Sequence, residues 1–206
     1  MKETVIESLF PNPVYISHIN RKFTEKELDF VNNQKNNCTI NEGNISTTDK
    51  YILNKIELKE INEFIKSQCH NYLDKVICPK NNIELYVTQS WLNYTKENQY
   101  HHQHSHPNSI ISGVFYFDCN KENDKIKFLN TDYQQISPEI NDSKFNLWNS
   151  TSWWFPVETG QLIMFPSYID HKVDNKKGNN IRISLAFNTF YKGVLGQNNS
   201  ATELIL

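Results

Sequence analysis

The sequence predicts a mainly β protein, an antiparallel sandwich or barrel with two helices packed against one of its sheets. Three observations carry this. Apolar residues recur at helical spacing only in the part of the chain before residue 80. From residue 83 they fall instead into short runs rich in β-branched and aromatic side chains, separated by Asn, Asp, Lys and Gly. The strand-like runs follow the helices rather than alternating with them, which argues against a parallel sheet with crossover helices. With 206 residues the chain is long enough to bury a real core, and it reads as a single domain over residues 1–206. Residues 1–80 form an extended lead-in and the helices, 83–192 the β core, and 193–206 a C-terminal tail.

The elements follow in order. LFPNPVYISHI is extended. Thr24-Glu25-Lys26-Glu27 has the form of a capping box, which predicts a helix over 24–35 with Leu28, Phe30 and Val31 on its apolar side. Residues 36–50 are polar and read as a loop or an extended excursion. Between 55 and 77, Ile61, Phe64, Ile65, Cys69, Tyr72, Leu73, Val76 and Ile77 recur at three and four, the clearest amphipathic helix in the chain, and Pro79 ends it. The strand candidates are ELYVTQSWLNY, SIISGVFYFD, DKIKFLN, GQLIMF and NIRISLAFNTF.

Composition excludes several classes. The net charge of -2 offers no global reason to bind nucleic acid or an anionic membrane. No run approaches the roughly 18 apolar residues of a membrane span, and the acidic start MKETVIES is unlike a signal peptide. Cys38, Cys69, Cys78 and Cys119 show no C-x-x-C pairing, so reduced thiols in a cytoplasm are expected.

The chemistry concentrates in QYHHQHSHPNS, which holds four of the seven histidines. In an extended segment alternate residues share a face at about 6.6 Å spacing, so His102, His104 and His106 line up and His101 lies on the opposite, solvated side. An isolated H-x-H run is most simply a solvated loop, and His18 and His70 take that reading. Here two further features point to a metal. His171 follows an apolar strand and can supply a ligand from elsewhere in the fold. Arg182 sits inside a strand between Ile181 and Ile183, where an unpaired charge costs several kcal/mol unless it meets an anion; its planar fork suits a carboxylate. Asn93 and Tyr94, at the end of the preceding strand, are candidate donors to the same carboxylate. Asp170 would point away from His171 and is not a candidate ligand. Trp91, Phe115 and Phe165 read as core packing.

The pattern W-x-N-Y, then H-x-H-P-N-S-x-x-S-G-V-x-Y, G-x-L-x-x-F-P-S, H-x-V and R-I-S-x-x-F-N, spanning about residues 85–190, resembles the Fe(II)/2-oxoglutarate dioxygenases. More narrowly it is similar to small oxygenases of marine bacteria and phages. The resemblance implies a double-stranded β-helix, a cupin-like jelly roll with the metal in its mouth. It implies Fe(II) held by His104 and His171, with 2-oxoglutarate as cosubstrate, O2 as oxidant, and a small molecule or peptide as substrate; His106 is the favoured third ligand. Arg182 stands where the family binds the distal carboxylate, with Tyr94, Asn93 and Ser184 beside it. The segment SKFNLWNSTSWWFPVETG is then the substrate-facing loop, with Trp148, Trp153 and Trp154 as lid or packing.

One residue departs from the pattern. The family motif is H-x-D or H-x-E, and here the second position is His106. It is a third imidazole ligand, or lies beside the metal, or the register slips so that His102 and His104 bind. Two other readings stand beside the oxygenase: a three-histidine cupin-like metalloenzyme that does not use 2-oxoglutarate, and a non-catalytic jelly-roll binding protein.

Overall fold

A computed structural model describes residues 3–131 and 138–206. The first strand is β1 (Tyr15–His18). Helix α1 (Glu25–Asn33) starts at the expected capping box: the Glu27 amide donates to Thr24 Oγ1 at 3.2 Å, and the Thr24 amide donates to Glu27 Oε2 at 2.8 Å. Arg21 pairs with the buried Glu27 carboxylate at 2.6 Å and holds it below the usual carboxylate range against the opposing effect of burial.

The polar stretch expected as a loop or an extended excursion is extended: it forms a hairpin, β2 (Cys38–Asn41) and β3 (Asn44–Thr47). Its turn needs Gly43, whose φ is +86° and whose missing side chain makes room for the Tyr100 carbonyl. Helix α2 (Lys59–Tyr72) is shorter than the expected 55–77, because residues 56–58 form a 3-10 turn and 73–77 a π turn. The chain then leaves through Cys78 in the left-handed region, as the following Pro79 disfavours continued helix.

The β core comprises β4 (Ile83–Thr95), β5 (His101–His104), β6 (Ile111–Asp118), β7 (Lys125–Leu129), β8 (Ser152–Pro156), β9 (Gln161–Pro166), β10 (His171–Val173), β11 (Arg182–Leu195) and β12 (Leu204–Ile205). Two antiparallel sheets result. The larger runs β1-β9-β6-β11-β4-β3-β2, with β12 beside β11, and the smaller runs β5-β10-β7-β8. The N-terminal strands are thus part of the larger sheet rather than a lead-in to it.

Strand alternation sorts the larger sheet into two faces. Leu92, Tyr94, Phe115, Phe117, Leu162, Met164, Leu185 and Phe187 pack with Val31, Ile61, Ile65 and Tyr72 of the helices. The opposite face meets the smaller sheet: Tyr116, Ile163 and Phe165 pack with Ile126 and Phe128. The jelly roll expected from the sequence is therefore the fold of the protein, with both helices covering its larger sheet.

Candidate metal centre

The polar residues of the inner face collect at one end of this sandwich. On the larger sheet β11 presents Arg182, Ser184 and Ala186, register-paired with Thr95, Asn93 and Trp91 of β4. On the smaller sheet His171 of β10 pairs with His104 of β5. His106 lies just past β5, where its amide donates to the Ser167 carbonyl at 2.9 Å. That bond turns its ring back toward His171, leaving the two Nε2 atoms 3.3 Å apart. Apart from Thr95 and Ser167, these residues line one narrow cavity of about 40 Å³.

The nitrogens of His104, His106 and His171 all lie within 4.8 Å of one another. His104 Nδ1 donates to the His102 carbonyl at 2.8 Å and His171 Nδ1 to the Ile169 carbonyl at 3.0 Å. A carbonyl can only accept, so in both rings Nδ1 carries the hydrogen and Nε2 is left with its lone pair facing the cavity. This is the orientation that outer partners impose on metal-binding imidazoles. Trp91 stacks on His106 at 5.9 Å, and Phe165 meets His171 edge-on at 4.7 Å. Phe115 and Phe165 are core packing as expected, and Phe165 and Trp91 in addition pack on the imidazoles. For Trp91, Asn93 was the available signal, since the two share a face of β4.

Burial keeps the imidazoles uncharged. It lowers His106 to about 4 and His171 to about 3, with the neighbouring His104 adding to both effects, and lowers His104 as well. The unfolded chain protonates these groups near the ordinary 6.5. Native pKa values depressed in this way contribute stability that is present above pH 6.5 and lost as the pH falls toward 4 and 3. For these two imidazoles the metal-free protein should lose about 3 kcal/mol between pH 7.5 and 5.5. Urea unfolding at the two pH values measures it, and an unchanged midpoint would contradict the buried neutral state.

Arg182 is 3% exposed. Its hydrogen bonds are long, 3.3 Å to the Lys125 carbonyl and 3.4 Å to the Tyr116 hydroxyl, and its Nε has no partner. Burial pushes the Tyr116 hydroxyl well up, so it stays a neutral phenol and brings no countercharge. Among the described residues no carboxylate forms an ion pair with Arg182. Asn93 Oδ1, in the same cavity, is also buried without a partner.

Two sequence expectations fail here. Tyr94 does not enter the cavity: it is adjacent to Asn93 on a strand and so faces the helices, where its hydroxyl donates to the Val31 carbonyl at 2.6 Å. His101 is half-buried rather than fully solvated. The pairing of β5 with β10 slips between His171/His104 and Val173/His101, and that irregularity brings the His101 ring onto His104 at 4.7 Å. Asp170 points away as expected, accepting from Gln103 Nε2 at 2.8 Å.

Residues 89–188, from β4 to β11, match the family model described as "Putative 2OG-Fe(II) oxygenase". Over that segment the chain is similar to the family. The fold as a whole is similar to those of solved 2OG-Fe(II) oxygenases. A 2OG-Fe(II) oxygenase-family oxidoreductase of Burkholderia pseudomallei superposes with a TM-score of 0.56 at 12% identity, over 85% of this chain and 83% of that one. HygX of Streptomyces hygroscopicus, with nickel and 2-oxoglutarate bound, gives 0.58 at 10% identity, over 86% and 82%. A Trichoplax adhaerens prolyl hydroxylase in complex with a hypoxia inducible factor oxygen degradation domain peptide fragment gives 0.55 at 13% identity, over 86% and 83%. At these identities the likeness is one of fold. No curated protein sequence matches the chain.

The matched segment contains His101, His102, His104, His106, His171 and Arg182, and among the described residues no helix is long and apolar enough to cross a membrane.

Proposed function

We propose that this oxygenase holds Fe(II) through Nε2 of His104, of His171 and of His106, with Arg182 receiving the distal carboxylate of 2-oxoglutarate. The observation that carries the reading is the pairing in one cavity of converging neutral imidazoles with a buried guanidinium that lacks a countercharge. The donor set fits the metal: imidazole is a good ligand for Fe(II) and for its heavier neighbours. When bound, iron and 2-oxoglutarate together supply the O2-dependent oxidation of a substrate C–H bond, the cosubstrate leaving as succinate and CO2.

The chain's own groups then have separate tasks. Arg182 anchors the cosubstrate through parallel hydrogen bonds and fixes which end faces the metal. Ser184 and Asn93 flank that anchor on neighbouring strands, and the unpaired Asn93 Oδ1 is placed to accept from an ordered water or a ligand hydroxyl. Phe165 and Trp91 keep the imidazoles dry and in place.

A second cavity, of about 370 Å³, supports a substrate site beside His171. Phe128, whose ring lies 6.3 Å from that of His171, forms part of its wall together with Leu147, Trp153, Phe155, Tyr168 and Asp170. Its size and mixed polar and apolar lining suit a small molecule or one side chain of a peptide. Of the three tryptophans only Trp153 lines it; Trp154 packs under Lys125 at 3.8 Å and Trp148 is 58% exposed. The four free cysteines are in keeping with a reducing cytoplasm.

Anaerobic reconstitution with Fe(II) and 2-oxoglutarate tests the proposal. A weak visible metal-to-ligand charge-transfer band is expected, followed by succinate when O2 is admitted. Metal binding with neither signal would favour the three-histidine enzyme without 2-oxoglutarate, or the binding protein.

A further inference from the structure

His101, His102 and His104 form another set of nitrogens within 4.8 Å of one another, on the outer side of the centre described above. The His102 Nδ1 atom is buried and has no hydrogen-bond partner. His101 is held between side-chain amides of the β2–β3 hairpin, Asn44 Nδ2 at 3.3 Å from its Nδ1 and Asn41 Nδ2 at 3.5 Å from its Nε2. Both are amide nitrogens, and a neutral imidazole has one acceptor nitrogen, so one of the two contacts gives way when a better partner arrives. The rings lie close, at 5.2 Å for His101–His102 and 4.8 Å for His102–His104. His102 lines an open surface groove with Glu42, Tyr100 and Gln103; His101 lines both that groove and the narrow inner cavity, whereas His106 and His171 line the inner cavity.

We propose that His101, His102 and His104 form a second transition-metal site, taking zinc, nickel or copper from solution, whose occupancy excludes iron from the inner one. Exclusion follows from His104. Its Nδ1 is committed to the His102 carbonyl, so it offers a single lone pair, at Nε2, and can serve one metal at a time. Like the inner set, the outer one gives three imidazoles without a carboxylate, which bind the metals late in the divalent series more tightly than iron; what sets the outer one apart is that His101 and His102 open to the surface groove. A metal there removes one of the proposed iron ligands. The site therefore acts as an inhibitory metal port, opening to the groove rather than to the substrate cavity. This inference rests on the reading of His104 as an iron ligand only for its inhibitory consequence; the outer site itself stands on its own three residues.

The test uses the full chain carrying His106→Gln and His171→Gln, which dismantles the inner set. Zinc titration against a chromophoric indicator should show one zinc retained per chain. Adding His101→Gln should weaken it by more than the roughly tenfold that loss of an outer partner costs. No zinc binding in a natively folded double variant, or binding indifferent to His101→Gln, would overturn the proposal. A second measurement keeps the inner set intact in case the double variant fails to fold. In the chain carrying His101→Gln and His102→Gln, the zinc needed to displace Fe(II), followed as metal content after gel filtration, should rise about tenfold or more. An unchanged displacement would overturn it equally. If the iron assignment were itself wrong, the chain with native histidines would fail to take up Fe(II), while the zinc titration of the double variant would still report on the outer site.

Discussion

Arg182→Ala is expected to weaken 2-oxoglutarate binding by about 100-fold, roughly 3 kcal/mol, while Fe(II) stays bound. The size follows from burial. The guanidinium is almost fully enclosed, and the cosubstrate carboxylate would provide the countercharge that no described residue supplies. Two parallel charge-assisted hydrogen bonds formed out of water are worth more than any exposed pair. Titration of the iron-loaded protein with 2-oxoglutarate, followed by the charge-transfer band, measures the change. Arg182→Lys should restore only part of it, because an ammonium keeps the charge and loses the fork. The same alanine variant should not lower the thermal stability of the ligand-free protein, since it removes an uncompensated buried charge. Unaltered cosubstrate affinity would mean that this arginine answers to another anion.

His106 carries the second expectation. Three imidazoles leave Fe(II) a dication, and with the cosubstrate dianion the centre is neutral; a carboxylate in place of one imidazole lowers that total by one. His106→Asp should therefore bind Fe(II) at least as tightly as the native chain and keep turnover, whereas His106→Ala should bind it about tenfold or more weakly. Equilibrium dialysis against a competing chelator gives the affinities, and succinate release gives the turnover. If all three proteins behave alike, His106 lies outside the coordination sphere, and its approach to His171 at 3.3 Å is a hydrogen bond between two neutral rings. The comparison separates charge from ligand number, since Asp changes the first and Ala the second.

Much of the fold was legible because it is written in local pattern. The Thr24 capping box, the apolar stripe of α2 and the apolar core strands each obey a short-range rule that needs no knowledge of neighbours. For residues 36–50 an extended excursion was one of two readings, but the pairing of β2 and β3 was not legible: CTIN and NIST are mostly polar, and they become strands because β4 offers an edge to pair with. Helix α2 was drawn too long because its apolar period continues through turns whose backbone is not α-helical.

The meeting of His104, His106 and His171 in one cavity follows the sequence expectation, and so does the burial of Arg182, singled out by the oddity of a charge inside an apolar strand. Tyr94 could have been excluded beforehand, since adjacent strand residues face opposite ways and Asn93 already claimed the inner face. His101 could not have been placed. Its position depends on a register slip between β5 and β10, two short strands joined only in three dimensions, and a slip of one residue changes which face a side chain takes.

The position of β11 also governs how this molecule is made. It occupies the middle of the larger sheet, bonded to β4 along nearly all its length and to β6 on the other side, yet it is nearly the last strand in the chain. While the polypeptide leaves the ribosome, β4 and β6 wait with bare edges until about residue 195 has emerged. Nascent chains of this kind close late, through contacts distant in sequence, and expose sticky strands meanwhile. Any premature stop before Arg182 would leave two half-sheets with no partner between them, prone to pair with other copies rather than with each other.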